Sequence, residues 1–141
     1  MTMVDLDAFA KDWIDAFNAR DMDRILSHYT DDVRLYSPRV KATLGGDASC
    51  VEGKEALRHY FATGLAHSPE LRFTLDRIYP GEGSVVLRIR ANEGREGSEM
   101  MVFAGDGLVR EVRAHWTAAL SSPACGGGGA ERSDATEGGS P

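Results

Sequence analysis

The chain has 141 residues, enough for one domain and too few for two with cores of their own. Its 42% hydrophobic and 27% charged residues exclude wholesale disorder. With 22 acidic against 16 basic residues the net charge is −6, which argues against a nucleic-acid partner, since backbone binding needs clustered basic charge. No apolar run approaches the roughly 20 residues of a membrane span. Met1 to Asp5 lacks the basic and then apolar pattern of a secretory signal, so a cytoplasmic location with no membrane partner is expected. Cys50 and Cys125 are too few for a disulfide framework. His28, His59, His67 and His115 are scattered without ligand-like spacing, so no metal and no cofactor are expected.

In chain order, Leu6, Phe9, Ala10, Trp13, Ile14 and Phe17 form one apolar stripe at helical spacing. Asp21 can cap a second, shorter helix in which Met22, Ile25, Leu26 and Tyr29 repeat that spacing until Thr30-Asp31-Asp32 stops it. Residues 33–37 alternate as a strand that ends at Pro38. The stretch 39–52 has no clear period and reads as a loop, with room for a short strand. A third helix runs from about Gly53 to His67, with Ala56, Leu57, Tyr60, Phe61, Gly64 and Leu65 on one side and Ser68-Pro69 as its stop.

The remainder alternates with period two. Leu71, Phe73 and Leu75 mark one strand, a turn at 79–83 follows, and Val85, Leu87 and Ile89 mark a second. Residues 98–103 and 108–116 make a hairpin around Asp106-Gly107. Helices first and an antiparallel meander last is the pattern of an α+β fold with three N-terminal helices on one face of a curved sheet. The domain is expected over residues 1–120. Residues 121–141 have no large apolar side chain and four consecutive glycines, so a disordered Gly/Ser-rich tail is expected there.

The run from Trp13 to Pro38, followed by Gly53-Lys54-Glu55-Ala56-Leu57 and by Met100 to Trp116, resembles the cone-shaped fold of nuclear transport factor 2. Within that fold it is most similar to the ketosteroid isomerases and the SnoaL-like polyketide cyclases. The resemblance covers roughly residues 5 to 117 and implies a curved sheet around a deep, mostly apolar pocket. It also implies a homodimer and an apolar small-molecule ligand. The fold hosts several chemistries and some members with none, so the residues must decide.

Proton transfer beside a ketone needs a carboxylate base and hydrogen-bond donors where negative charge develops. In the isomerase pattern the base is an Asp before a Pro, and here Ser37 precedes Pro38. The first donor would be replaced by Trp13, Glu99 falls at the second donor, Tyr29 matches a supporting Tyr, and Trp116 an aromatic wall. The cyclase acid beyond the last-strand Trp is missing, since residues 117–120 hold no carboxylate. The Arg-x-Asp pair of the epoxide hydrolases is likewise broken at Arg88-Ile89-Arg90.

Alternation places Glu99 with Met101 and Phe103. It is then either an acid in an apolar pocket, with its pKa raised by desolvation, or a solvated residue at a strand end. Strand parity assigns to one cavity Leu35, Ser37, Phe73, Leu87, Met101, Val112, Ala114 and Trp116, with Tyr60 and Phe61 from the third helix and Trp13, Phe17 and Tyr29 closing it. The candidate catalytic set is Glu99 as acid with Trp13 and Tyr29 as positioning donors. The reaction expected is acid-assisted isomerisation, cyclisation or dehydration of an apolar ring compound. The alternative is a non-catalytic ligand-binding or dimerisation module.

Overall fold

The computed structural model describes residues 4–92 and 94–117. Helix α1 spans Leu6–Ala19, with Asp5 accepting a hydrogen bond from the Ala8 N–H at 3.1 Å as its N-cap. Its buried stripe is Phe9, Ala10, Trp13, Ile14, Ala16 and Phe17. The helix ends at Arg20, the one described non-glycine residue with positive φ (58°). Asp21 caps the short helix α2, Met22–Leu26, through the Arg24 N–H at 3.2 Å.

Strand β1 spans Tyr29–Tyr36. The expected second helix therefore ends three residues earlier than its apolar spacing suggests, and Tyr29 opens a strand instead of closing a helix. The reason is non-local: Tyr29 pairs with Val109 across the sheet, and the Val109 N–H bonds to the His28 carbonyl at 2.8 Å. The segment expected as a loop holds helix α3, Arg39–Leu44, and strand β2, Cys50–Glu52. Helix α3 has a single buried residue, Val40, and so lacks the stripe by which α1 is recognised. Helix α4 is Lys54–His67, with Leu57 and Phe61 buried but Ala56 exposed.

Four strands complete the sheet: β3 (Phe73–Gly81), β4 (Ser84–Ala91), β5 (Glu96–Phe103) and β6 (Val109–Trp116). The order is β2-β1-β6-β5-β4-β3, antiparallel throughout except for the parallel pair β1 and β6. Strand β3 runs on through Pro80, where a turn is expected from sequence, because an edge strand tolerates a residue without an N–H donor. The architecture is α+β, with helices packed on an open, curved six-stranded sheet, and it carries one helix more than the sequence pattern suggests. Among the described residues no helix is long and apolar enough to cross a membrane. The tail expected at 121–141 lies outside the described residues.

Sheet alternation sorts the side chains into two faces. Val85, Leu87, Ile89, Glu99, Met101, Val112 and Ala114 are buried against the helices. Arg88, Arg90, Arg113 and His115 stand exposed on the other side. There Arg90 pairs with Asp76 at 2.8 Å, and the Arg113 guanidinium lies 4.0 Å from the centroid of the Tyr36 ring.

Candidate functional site

The asparagine and arginine of Asn18-Ala19-Arg20-Asp21 fix one wall of the site. Asn18 exchanges two hydrogen bonds with the backbone of Phe73, donating to its carbonyl at 2.9 Å and accepting from its N–H at 2.8 Å. The Arg20 guanidinium donates to the carbonyls of Leu65, Ser68 and Leu71 at 2.9, 2.7 and 3.3 Å. The connection from α4 to β3 is thereby tied to the end of α1. On its other side Asn92 accepts from the Arg72 N–H and donates to the Glu70 carbonyl. These residues are structural clamps.

Between this connection, α3, α4 and the sheet lies a cavity of about 140 Å³. Its buried part is formed by Trp13, Phe17, Leu35, Ser37, Phe61, Glu99 and Ala114. Tyr60, Phe73 and Trp116 are half-buried around it. The rings interlock: Trp13 and Phe17 are 4.7 Å apart, Phe17 and Phe61 meet edge to face at 4.9 Å, and Phe73 stacks on Trp116 at 5.9 Å. Gly97 makes the Trp116 position possible. The two residues face each other across β5 and β6, and a Cβ on Gly97 would sit 2.7 Å from the indole and 2.8 Å from the His115 carbonyl.

Glu99 is the polar centre of this cavity. It lies opposite Ala114 in the β5–β6 register and is only 8% exposed. Among the described residues no hydrogen bond or ion pair reaches its carboxyl group. Burial therefore acts unopposed and pushes its pKa up to about 7, so that near neutrality the protonated, donating form and the ionised form coexist. Of the two readings of the sequence, the solvated strand-end residue does not describe this environment.

Two hydroxyls face the same space. The Ser37 Oγ accepts from the Arg39 N–H at 3.1 Å, which holds it at the start of α3. Burial raises the Tyr60 phenol pKa, an effect partly offset by the Ser37 hydroxyl beside it. Trp13 and Tyr29 behave differently from the expectation that they serve as free donors. The Trp13 indole N–H donates to the Tyr29 hydroxyl at 2.8 Å in the buried core. Trp13 thus lines the cavity with its indole N–H already engaged, while Tyr29, fully buried with its phenol pKa raised chiefly by burial, does not line it.

Leu87, Met101 and Val112, expected from strand parity to line the cavity, do not. Leu87 is one strand over from Glu99, and Met101 and Val112 lie two residues further along their strands; all three are fully buried in packed core. Conversely, the cavity is also lined by Arg39, Ala42 and Thr43 around α3, by Gly64, Leu65, His67, Ser68 and Leu71 around the end of α4, and by Arg95. Those from α3 had no signal in the sequence, because that helix had none. Among the described residues no cluster of three or more His, Cys, Asp or Glu side chains could hold a metal ion.

Comparison with known proteins places this geometry in a family. The model of the SnoaL-like domain matches residues 10–119. A SnoaL-like protein of unknown function from Burkholderia thailandensis is 32% identical, with a TM-score of 0.75 over 83% of this chain and 100% of the other. Two further structures speak to the fold alone. A proposed ketosteroid isomerase from Kribbella flavida is 20% identical, with a TM-score of 0.65 over 82% of this chain and 80% of the other. A proposed polyketide cyclase from Sinorhizobium meliloti is 9% identical, with a TM-score of 0.64 over 80% of this chain and 100% of the other. No curated protein matches the chain significantly. The domain match over most of the length, joined to a relative sharing about a third of its residues, means that the chain belongs to the SnoaL-like domain family of the nuclear transport factor 2-like fold.

Proposed function

We propose that this protein binds an apolar ring compound carrying a carbonyl or hydroxyl and acts on it by acid-assisted isomerisation, cyclisation or dehydration, with Glu99 as the acid. The observation that carries this reading is an unpartnered carboxyl group buried in an aromatic cavity. A protonated Glu99 can donate to an oxygen on the ligand, and its burial lowers the local dielectric, which strengthens that hydrogen bond. Tyr60 and Ser37 are the hydroxyls best placed to orient the ligand, and Trp13, Phe17, Phe73 and Trp116 supply its apolar walls. Ketosteroid isomerases and polyketide cyclases are relevant by family analogy, but their main carboxylate bases have no counterpart here. Ser37 stands before Pro38, and Glu99 is the only carboxylate that lines the cavity among the described residues.

That shortage of a base favours a second reading, a ligand-binding module without turnover. One experiment separates them. Glu99→Gln is expected to lower turnover on an apolar enone or β-hydroxyketone roughly ten-fold or more, the scale of one charge-assisted hydrogen bond, with the cavity still occupied by ligand. Equal binding and no turnover by either protein would establish the module instead. Strong isomerisation of a steroid enone, followed by absorbance of the conjugated product, would contradict the reading of Ser37 as a lost base.

The proposed working form is a cytoplasmic homodimer paired through the outer sheet face. Tyr79, Val86, Met100, Arg113 and Tyr36 form one row across five strands there, a mixture of apolar and cationic groups suited to a subunit contact.

A further inference from the structure

The two ends of the cavity differ in charge. Glu99 lies at the buried end, while the exposed or half-exposed lining carries the guanidinium groups of Arg39 and Arg95 and no carboxylate among the described residues. This is a cationic rim on a chain whose net charge is −6. Arg39 is the first residue of α3, and its backbone is pinned by the bond from its N–H to Ser37 Oγ. Its side chain is exposed, and among the described residues no ion pair or hydrogen bond engages the guanidinium. Arg39 and Arg95 line the same cavity as Tyr60, whose phenol pKa is raised by burial and lowered slightly by the charge of each arginine.

Size adds a second constraint. A cavity of about 140 Å³ matches one known to hold a single benzene ring, about 150 Å³. A ligand larger than one ring must leave past the rim.

Building on the proposed function, we infer that the ligand is a ring compound with an anionic tail: the ring fills the aromatic cavity with an oxygen toward Glu99, and a carboxylate at the other end pairs with Arg39. The planar guanidinium fork matches a carboxylate in two parallel hydrogen bonds. A neutral Glu99 at the inner end does not repel such an anion, and the two ends together fix which way round the ring enters.

The test uses 3-(4-acetylphenyl)propanoate and its primary amide, which differ in charge and hardly in shape. Both tryptophans of the chain line the cavity, so quenching of intrinsic fluorescence reports binding. At pH 6 the carboxylate is expected to bind at least about five-fold more tightly than the amide, the scale of one partly exposed ion pair. That preference should shrink in 0.5 M salt, vanish in Arg39→Gln and persist in Arg39→Lys. Equal affinities, or a preference that survives Arg39→Gln, would overturn the anionic-tail inference while amide binding upheld the small-molecule site. Failure of both probes to quench at millimolar concentration would overturn the proposed function itself.

Discussion

Replacing Glu99 by Gln should alter the pH dependence of folding in a direction opposite to that of most carboxylate substitutions. The native pKa of Glu99 is raised from 4.5 to about 7, so the folded chain binds this proton more tightly than the unfolded chain does. Below about pH 4.5 both states are protonated and the group costs nothing. Between about pH 4.5 and 7 the unfolded state releases the proton first, and stability falls as pH rises. Above about pH 7 the full penalty is present. At about 1.4 kcal/mol per pKa unit, the shift corresponds to about 3 kcal/mol. Gln carries no charge, so the stability of Glu99→Gln relative to the parent should climb by that amount across the window and then level off. The buried amide has its own desolvation cost, but this is independent of pH and moves the whole curve without changing its slope. For a domain of this size the climb amounts to on the order of 10 °C in the thermal midpoint. Urea denaturation of both proteins at half-unit intervals from pH 4 to 8.5 measures it. A stability difference that stays flat across this range would refute the placement of Glu99 as a desolvated, unpartnered acid.

Gly97→Ala should destabilise the domain by about 2 kcal/mol or more, because the added methyl meets the Trp116 ring at 2.7 Å and backbone behind it. Chemical denaturation gives the loss, and a red shift of tryptophan emission would report the displaced indole. Trp13→Phe leaves the Tyr29 hydroxyl without its 2.8 Å donor in the core and should cost about 2–4 kcal/mol when lost packing is included. A double-mutant cycle with Tyr29→Phe should show coupling of about 1 kcal/mol, and a coupling of zero would mean the bond contributes nothing.

The parts of the fold that were legible in the sequence are those where one periodicity dominates. Helix α1 buries a stripe of six residues, and β4, the first seven residues of β5 and the last five of β6 alternate between core and surface. Two failures have physical causes. Met22, Ile25, Leu26 and Tyr29 keep helical spacing across the junction of two elements, because Tyr29 is buried by strand pairing with a residue 80 positions away. Helix α3 is held by the Ser37 side chain at its start and buries only Val40, so no amphipathic pattern betrays it. The candidate site was readable to the same extent. Parity identified the face of Glu99, Ala114 and Trp116, but parity does not tell which residues of a face border empty space and which lie under a helix. Leu87, Met101 and Val112 illustrate the difference. The rim was hidden for another reason: Arg39, Ala42 and Thr43 belong to the helix that had no signature.

The single parallel pairing in the sheet has a kinetic consequence. Strands β3 to β6 join neighbours in sequence through short turns and need little loop closure to form. Strand β1 reaches β6 only by bringing together segments nearly eighty residues apart, a non-local step with a larger entropic cost. The cavity draws Leu35 and Ser37 from the region of β1, and Ala114 and Trp116 from β6. Its two walls therefore meet only when that distant closure is complete, and the desolvation of Glu99 comes with it. A nascent chain still lacking β6 has no enclosed site, so ligand capture belongs to the finished domain and can reward its completion, by mass action, without assisting the early steps.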